Sequence, residues 1–269
     1  MNICRRLYEV FKMLYINKEM NDSDKEEPDD DLDLDHGYDV ILSKTNKDKL
    51  HQPACCTADV LPTLPFSAIV VGRSGSGKTV SMTSILKNKN MLRDAFDYIF
   101  FFSGTKPDKE IIKDLNLQKD CIFVDFKEED VKDIIDKLEK HIDKHGFNEA
   151  TPVTCMIFDD CLNNVDFLKS PTMTKLATAN RHMNITYFLL SQYYKKIPPV
   201  VRMNASYIMY FPASLIENEK LADEMTPPNM SKKEFMTFVN HATKDKHSFL
   251  GINNKSDMRL RKNFSIILS

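Results

Sequence analysis

Tryptophan is missing from this chain of 269 residues, and glycine and cysteine are scarce, at seven and six. The missing tryptophan excludes nothing about function. The cysteines form no Cys-x-x-Cys pair: Cys55 and Cys56 are adjacent, and the others sit in apolar runs. That pattern predicts free thiols buried in a reducing compartment. No apolar run approaches the ~18 residues that a membrane-spanning helix requires. The first fifteen residues are interrupted by Arg5, Arg6, Glu9 and Lys12, so no signal-peptide core is expected there. Internal repeats are absent. What remains is 42% hydrophobic and 28% charged, the balance of a globular protein long enough to bury one good core.

The net charge of −2 conceals an uneven distribution. Nine acidic residues between Asp22 and Asp35 face only Lys25, so this stretch is too polar and self-repelling to pack. The chain beyond it is mildly basic, which is compatible with nucleic acid without demonstrating it. Ahead of the acidic run, Leu7, Val10, Phe11, Leu14 and Tyr15 fall at helical spacing, giving either a short amphipathic helix or a partly ordered arm. The expected division is an N-terminal arm over 1–20, an acidic disordered segment over 21–39, a lead-in over 40–63 and one domain over 64–269.

Within that domain, apolar runs alternate with helical patterns. Strands are predicted over Phe66–Val71, Asp97–Phe102, Cys121–Phe126, Val153–Phe158, Ile185–Leu190 and Ala205–Phe211. Helices are expected over Thr79–Lys89, Glu128–Lys144 and near Thr172–Asn180, then over Leu215–Met225 and Ser231–His241. Ser248–Ile252 and Phe264–Leu268 read as closing strands. Such alternation predicts an α/β fold, a mostly parallel central sheet with helices on both faces.

The first strand runs into Gly72-Arg73-Ser74-Gly75-Ser76-Gly77-Lys78-Thr79. Glycines there free the backbone so that its N–H groups can cradle phosphate oxygens at a helix N-terminus. Lys78 is expected to reach the β- and γ-phosphates, and the Thr79 hydroxyl to bind Mg²⁺. The chain is therefore expected to bind a nucleoside triphosphate, with ATP and Mg²⁺ as cofactors. A second apolar strand, Met156-Ile157-Phe158, delivers Asp159 and Asp160 at its C-terminal end, the edge where open α/β sheets bind ligands. Asp159 is the candidate to hold Mg²⁺ through water, opposite Thr79. Asp160 is placed to polarise the attacking water, although its short side chain must approach more closely than a glutamate would. Taken alone, the pair could equally be a turn after a strand. Gln192 ends the fifth strand; it either senses the γ-phosphate or satisfies loose backbone groups.

These elements form an ordered series with Asn180-Arg181-His182-Met183-Asn184-Ile185, Leu189-Leu190-Ser191-Gln192 and Ile197-Pro198-Pro199-Val200-Val201-Arg202-Met203-Asn204. The series resembles the genome-packaging ATPases of large double-stranded DNA viruses, virophages and related mobile elements, the poxvirus-type branch of the FtsK–HerA superfamily. The likeness runs from about Leu64 to Phe211. It implies a RecA-like ASCE core and ATP hydrolysis. It also implies a homo-oligomeric ring that drives double-stranded DNA through its channel, and a capsid portal or vertex component as partner. It favours Gln192 as the sensor and makes Arg181 a candidate arginine finger acting on a neighbour's nucleotide, with Arg202 as the second candidate. The place of action it implies is the viral assembly site in the host cytoplasm and the virion, with the nucleus left open.

Two other functions compete. A HerA-like or conjugative motor would keep the fold, but the chain lacks room for an anchor or large accessory domain and has no second P-loop. A nucleotide switch or small-molecule kinase would call for an Arg-rich lid or an intact Asn-Lys-x-Asp element. No such lid follows the P-loop, and Asn46-Lys47-Asp48-Lys49 is a broken version lying upstream of it.

Overall fold

In the computed structural model, residues 60–161, 164–254, 259–264 and 266–268 are described. The expected N-terminal arm, the acidic segment and all but the last four residues of the lead-in lie outside them. The apolar runs become strands β1 (Ser67–Val71), β2 (Tyr98–Ser103), β3 (Ile122–Val124), β4 (Thr154–Asp159), β5 (Ile185–Ser191) and β6 (Tyr207–Tyr210). Three more follow: β7 (Leu250–Asn253), β8 (Arg259–Lys262) and β9 (Ile266–Leu268). Together they make one nine-stranded sheet in the order β3-β2-β4-β5-β1-β6-β7-β8-β9. From β3 to β6 every pairing is parallel, and from β6 to β9 every pairing is antiparallel.

Helices α1 (Lys78–Lys87), α2 (Lys109–Asp114), α3 (Glu128–His145), α4 (Val165–Leu168), α5 (Pro171–Ala179), α6 (Pro199–Asn204), α7 (Leu215–Met225) and α8 (Lys232–Ala242) connect the strands. Strand period 2 divides the core between the sheet's two faces. Ala68, Val70, Phe101, Ile157, Phe188 and Leu190 pack with Met82, Ile85 and Leu86 of α1. The alternate residues serve the other face. There Phe102 stacks on Phe158 at 5.0 Å between ring centroids, and Phe126 meets Phe167 of α4 at the same separation.

Three departures from the expected elements have physical causes. The third strand is only three residues long, because a 3-10 turn at Lys119–Cys121 precedes it and a left-handed Asp125 (φ +50°) ends it. The closing region holds three strands instead of two. Strand β8, Arg-Leu-Arg-Lys, offers one apolar residue and so carries no hydrophobic alternation to read. The short helices α2, α4 and α6 were not expected; the third begins on Pro199, whose fixed φ suits a helix start as well as the turn its neighbour Pro198 suggests. Cys121, Cys155 and Cys161 are unpaired and buried, as predicted for the cysteines in apolar runs.

Candidate nucleotide-hydrolysis site

Parallel strands β4, β5 and β1 bring their C-terminal ends to one sheet edge, and the phosphate-loop residues leave β1 there. Gly72 is required for space. A Cβ at that position would lie 2.5 Å from the Phe211 Cβ and 2.6 Å from the Ser76 Oγ. Gly75 and Gly77 are required for conformation, with φ of +73° and +104°. Gly77 is the N-cap of α1, and no side chain caps that helix or places an acid in its first turn. Three of the other four helices of nine residues or more are capped by serine hydroxyls, and the fourth opens on three acidic residues. Ser170, Ser214 and Ser231 cap α5, α7 and α8, and Asp130 accepts the Lys127 N–H at α3. The start of α1 thus keeps its free amides and the positive end of its dipole for a ligand.

Lys78 folds back over the loop. Its Nζ donates to the Gly72 carbonyl at 2.8 Å and to the Arg73 carbonyl at 3.1 Å. Burial lowers its pKa, and the charges of Asp159 and Asp160 oppose that shift. Asp159 ends β4 beside Ser103 of β2. Burial raises its pKa, the Lys78 charge counters this, and neighbouring Asp160 adds to the rise. Asp160 is exposed and left-handed (φ +50°), a conformation Asp tolerates better than most residues. Its Oδ1 accepts a hydrogen bond from Gln192 Nε2 at 3.2 Å. A cleft of ≈ 590 Å³ gathers Lys78, Thr79, Asp159, Asp160 and Gln192. Ser74, Gly75 and Gly77 also line it, while Gly72, Arg73 and Ser76 complete the loop behind them.

A triphosphate fits this donor set. The uncapped helix start and the Lys78 ammonium are matched to anionic oxygens. Thr79 and Asp159, an oxygen pair in the same cleft, suit a hard cation that retains much of its water.

Neither arginine candidate reaches this cleft. Arg181 is exposed on the 3-10 turn Asn180–Met183, which Asn180 braces by donating from Nδ2 to the Ile185 carbonyl at 2.8 Å. That turn enters β5, and β5 runs parallel to β1, so Arg181 lies at the sheet edge opposite the phosphate loop. Arg202 is engaged elsewhere, with only 3% of its surface exposed. Its Nε and Nη2 donate to the two Glu224 oxygens at 2.8 and 2.7 Å. Its Nη1 donates to the carbonyls of Lys195 and Ile197. Burial works against the charged Glu224, but hydrogen bonds from Arg202, Lys220 and Tyr194 outweigh it and hold its pKa at about 2. A finger must extend to another subunit, and Arg202 could do so only by breaking this pair.

Helix α7 was read from sequence without a role. Glu217, a buried residue near its start, accepts the Lys195 N–H at 2.9 Å. Tyr194 Oη donates to Glu224 at 3.0 Å. The segment that follows Gln192 is therefore clamped to α7. Ser103, Thr105 and His247 also line the cleft. They carry no motif, so only their placement in the fold marks them.

A profile of the family described as poxvirus A32 protein matches residues 56–256. The chain belongs to the poxvirus A32 protein family. Among relatives, DNA packaging protein OPG160 of variola virus is 25% identical over 181 residues, which cover 66% of this chain and 64% of that protein. Its vaccinia virus (strain Copenhagen) counterpart matches to the same extent. Uncharacterized protein 088R of invertebrate iridescent virus 3 is 23% identical over 177 residues, 65% of each chain. The chain spans slightly less than two thirds of the length of these relatives. The genome packaging NTPase B204 of Sulfolobus turreted icosahedral virus 2, solved with AMP, superposes with a TM-score of 0.51 at 15% identity, covering 76% of this chain and 97% of B204. The DNA-packaging ATPase B204 of Sulfolobus turreted icosahedral virus gives 0.50 at 17%, covering 72% and 95%. At such identities the likeness is one of fold. The poxvirus-type kinship inferred from the motifs holds.

Proposed function

We propose that this chain is an ATP-hydrolysing DNA translocase that packages a double-stranded DNA genome into a viral capsid. The observation that carries the reading is the meeting of Lys78, Asp159, Asp160 and Gln192 around one cleft, with Gln192 already bonded to Asp160. Lys78 exchanges the Gly72 and Arg73 carbonyls for β- and γ-phosphate oxygens. The amides of Gly75, Gly77, Lys78 and Thr79 cradle the chain of phosphates, while the Gly72 amide stays in the ladder with Ser191. Thr79 and Asp159 would hold Mg²⁺, which neutralises charge on the phosphates. Asp160 accepts the proton of the attacking water, and Gln192 keeps that carboxylate and the water aligned. The domain over 64–269 acts as the motor.

Within this reading the protein works as a homo-oligomeric ring around DNA, seated on a capsid portal or vertex component at the assembly site in the host cytoplasm. Arg181 supplies the finger. Its exposure and its place on the far sheet edge favour a neighbour's nucleotide over its own. A guanidinium there would meet charge present only in the transition state.

ATP turnover measured with and without double-stranded DNA tests the motor, which requires stimulation by DNA. Unchanged turnover would point to a nucleotide switch. Mixing Arg181→Ala with Lys78→Ala tests the finger, because an intact Lys78 subunit can receive Arg181 from an intact neighbour. Mixed rings that stay inactive, with both variants folded and oligomeric, would remove Arg181 from the role.

A further inference from the structure

The antiparallel half of the sheet reaches back to the phosphate loop. Strand β7 pairs with β6 so that Leu250 lies beside Tyr210. The start of β7 therefore sits at the edge where β6, β1, β5 and β4 end. Three residues before Leu250, His247 places its Nδ1 3.2 Å from the Ser76 carbonyl oxygen. Its ring also lies against Gly77, whose Cβ position is 3.5 Å from the same nitrogen. The residue is left-handed, with φ +62°. The loop that carries it is fastened to the sheet, because Lys262 of β8 pairs with Asp245 and the Ser248 hydroxyl donates to the Asp245 carbonyl at 2.7 Å.

Strand order gives the cleft two ends. Asp159 ends β4, Asp160 follows it and Gln192 follows β5, all on one side of β1, whereas His247 precedes β7, on the other side beyond β6. The γ-phosphate belongs with the carboxylates and the glutamine. A triphosphate laid along the loop then projects its nucleoside toward His247. A carbonyl can only accept, so Nδ1 carries the proton in this contact, and in the neutral ring Nε2 is left as an acceptor. That lone pair is chemically matched to an O–H or N–H donor of a ribose or a base.

We propose that His247 is a nucleoside-binding residue that accepts a hydrogen bond at the end of the cleft remote from Asp160, and this rests on the nucleotide reading above. It gives the C-terminal segment, which carries no recognised motif, a part in substrate selection. The triphosphate itself is left to the loop and Lys78.

Equilibrium binding of ATP and of inorganic tripolyphosphate, measured by calorimetry on the full chain, tests this. His247→Asn is the variant, since asparagine accepts a left-handed backbone and so preserves the loop. Its affinity for ATP is expected to fall about tenfold, in line with the loss of one good hydrogen bond, with tripolyphosphate binding unchanged. Equal losses for both ligands would make His247 a brace of the phosphate loop and overturn the proposal, as would no loss for either. Lys78→Ala serves as the control. If it weakens both ligands while His247→Asn weakens neither, His247 alone is wrong. If Lys78→Ala leaves both untouched, the nucleotide reading fails first.

Discussion

Lys78 and Arg202 are both cations that donate to main-chain carbonyls, and they serve opposite ends. Lys78 holds two carbonyls of its own loop and makes no ion pair with a carboxylate at bonding distance among the described residues. Burial disfavours its charge, and the nearby aspartates only oppose that. Arg202 has a bidentate carboxylate and two further carbonyls, and its pKa is raised, above all by its hydrogen bonds with Glu224. One charge is held incompletely, in a cleft that can admit an anion. The other is saturated and closed off. The difference separates a group kept ready for a ligand from a group that fixes structure, although sequence offers both as basic residues inside motifs.

Several substitutions can break this comparison. Lys78→Ala should abolish ATP turnover while moving the melting temperature by no more than a few degrees, because only two loop carbonyls lose a donor. Turnover at the normal rate would remove Lys78 from the site. Arg202→Ala should do the reverse. Glu224 would keep only Lys220 and Tyr194 as partners, and losing the bidentate guanidinium is expected to cost about 1.5–3 kcal/mol in urea unfolding, the scale of hydrogen bonds to charged groups. The folded fraction should still bind ATP; a stability near wild type would mean the pair is ornamental.

Asp160→Asn sharpens the contrast on the chemical side, since it keeps size and the bond from Gln192 but loses the base. ATP should bind normally and hydrolysis should fall at least tenfold, toward the ~10²-fold scale of general base catalysis. Unaltered turnover would shift water activation to Gln192. The smallest effect is acid sensitivity. The Glu224 pKa is depressed from 4.5 to about 2. Its stabilising contribution is therefore complete above about 4.5 and drains away as pH falls toward 2. Wild type should lose stability through that window, and Glu224→Gln should lose less.

Local signals were the legible ones. The glycines, Lys78 and Thr79 follow one another in sequence, and Asp159–Asp160 and Gln192 each end an apolar run, so period and punctuation suffice to find them. The strands of the parallel half were likewise placed to within a few residues. What stayed hidden depends on distance along the chain. The Arg202–Glu224 pair requires knowing that α7 packs under the segment after Gln192. The opposite-edge position of Arg181 follows only from β5 running parallel to β1. His247 lies 171 residues from its contact at Ser76, reached only through the antiparallel pairing of β7 with β6.

The uncapped start of α1 ties the durability of this protein to its occupancy. At α5, α7 and α8 a serine hydroxyl closes the helix start permanently; here the closing group is one that arrives and departs. Anything bound only by the folded chain stabilises it by mass action, about 2.7 kcal/mol at a hundredfold excess over the dissociation constant. Melting temperature should therefore climb with nucleotide concentration. Within the proposed ring, a subunit that has just released its products would be the softest member.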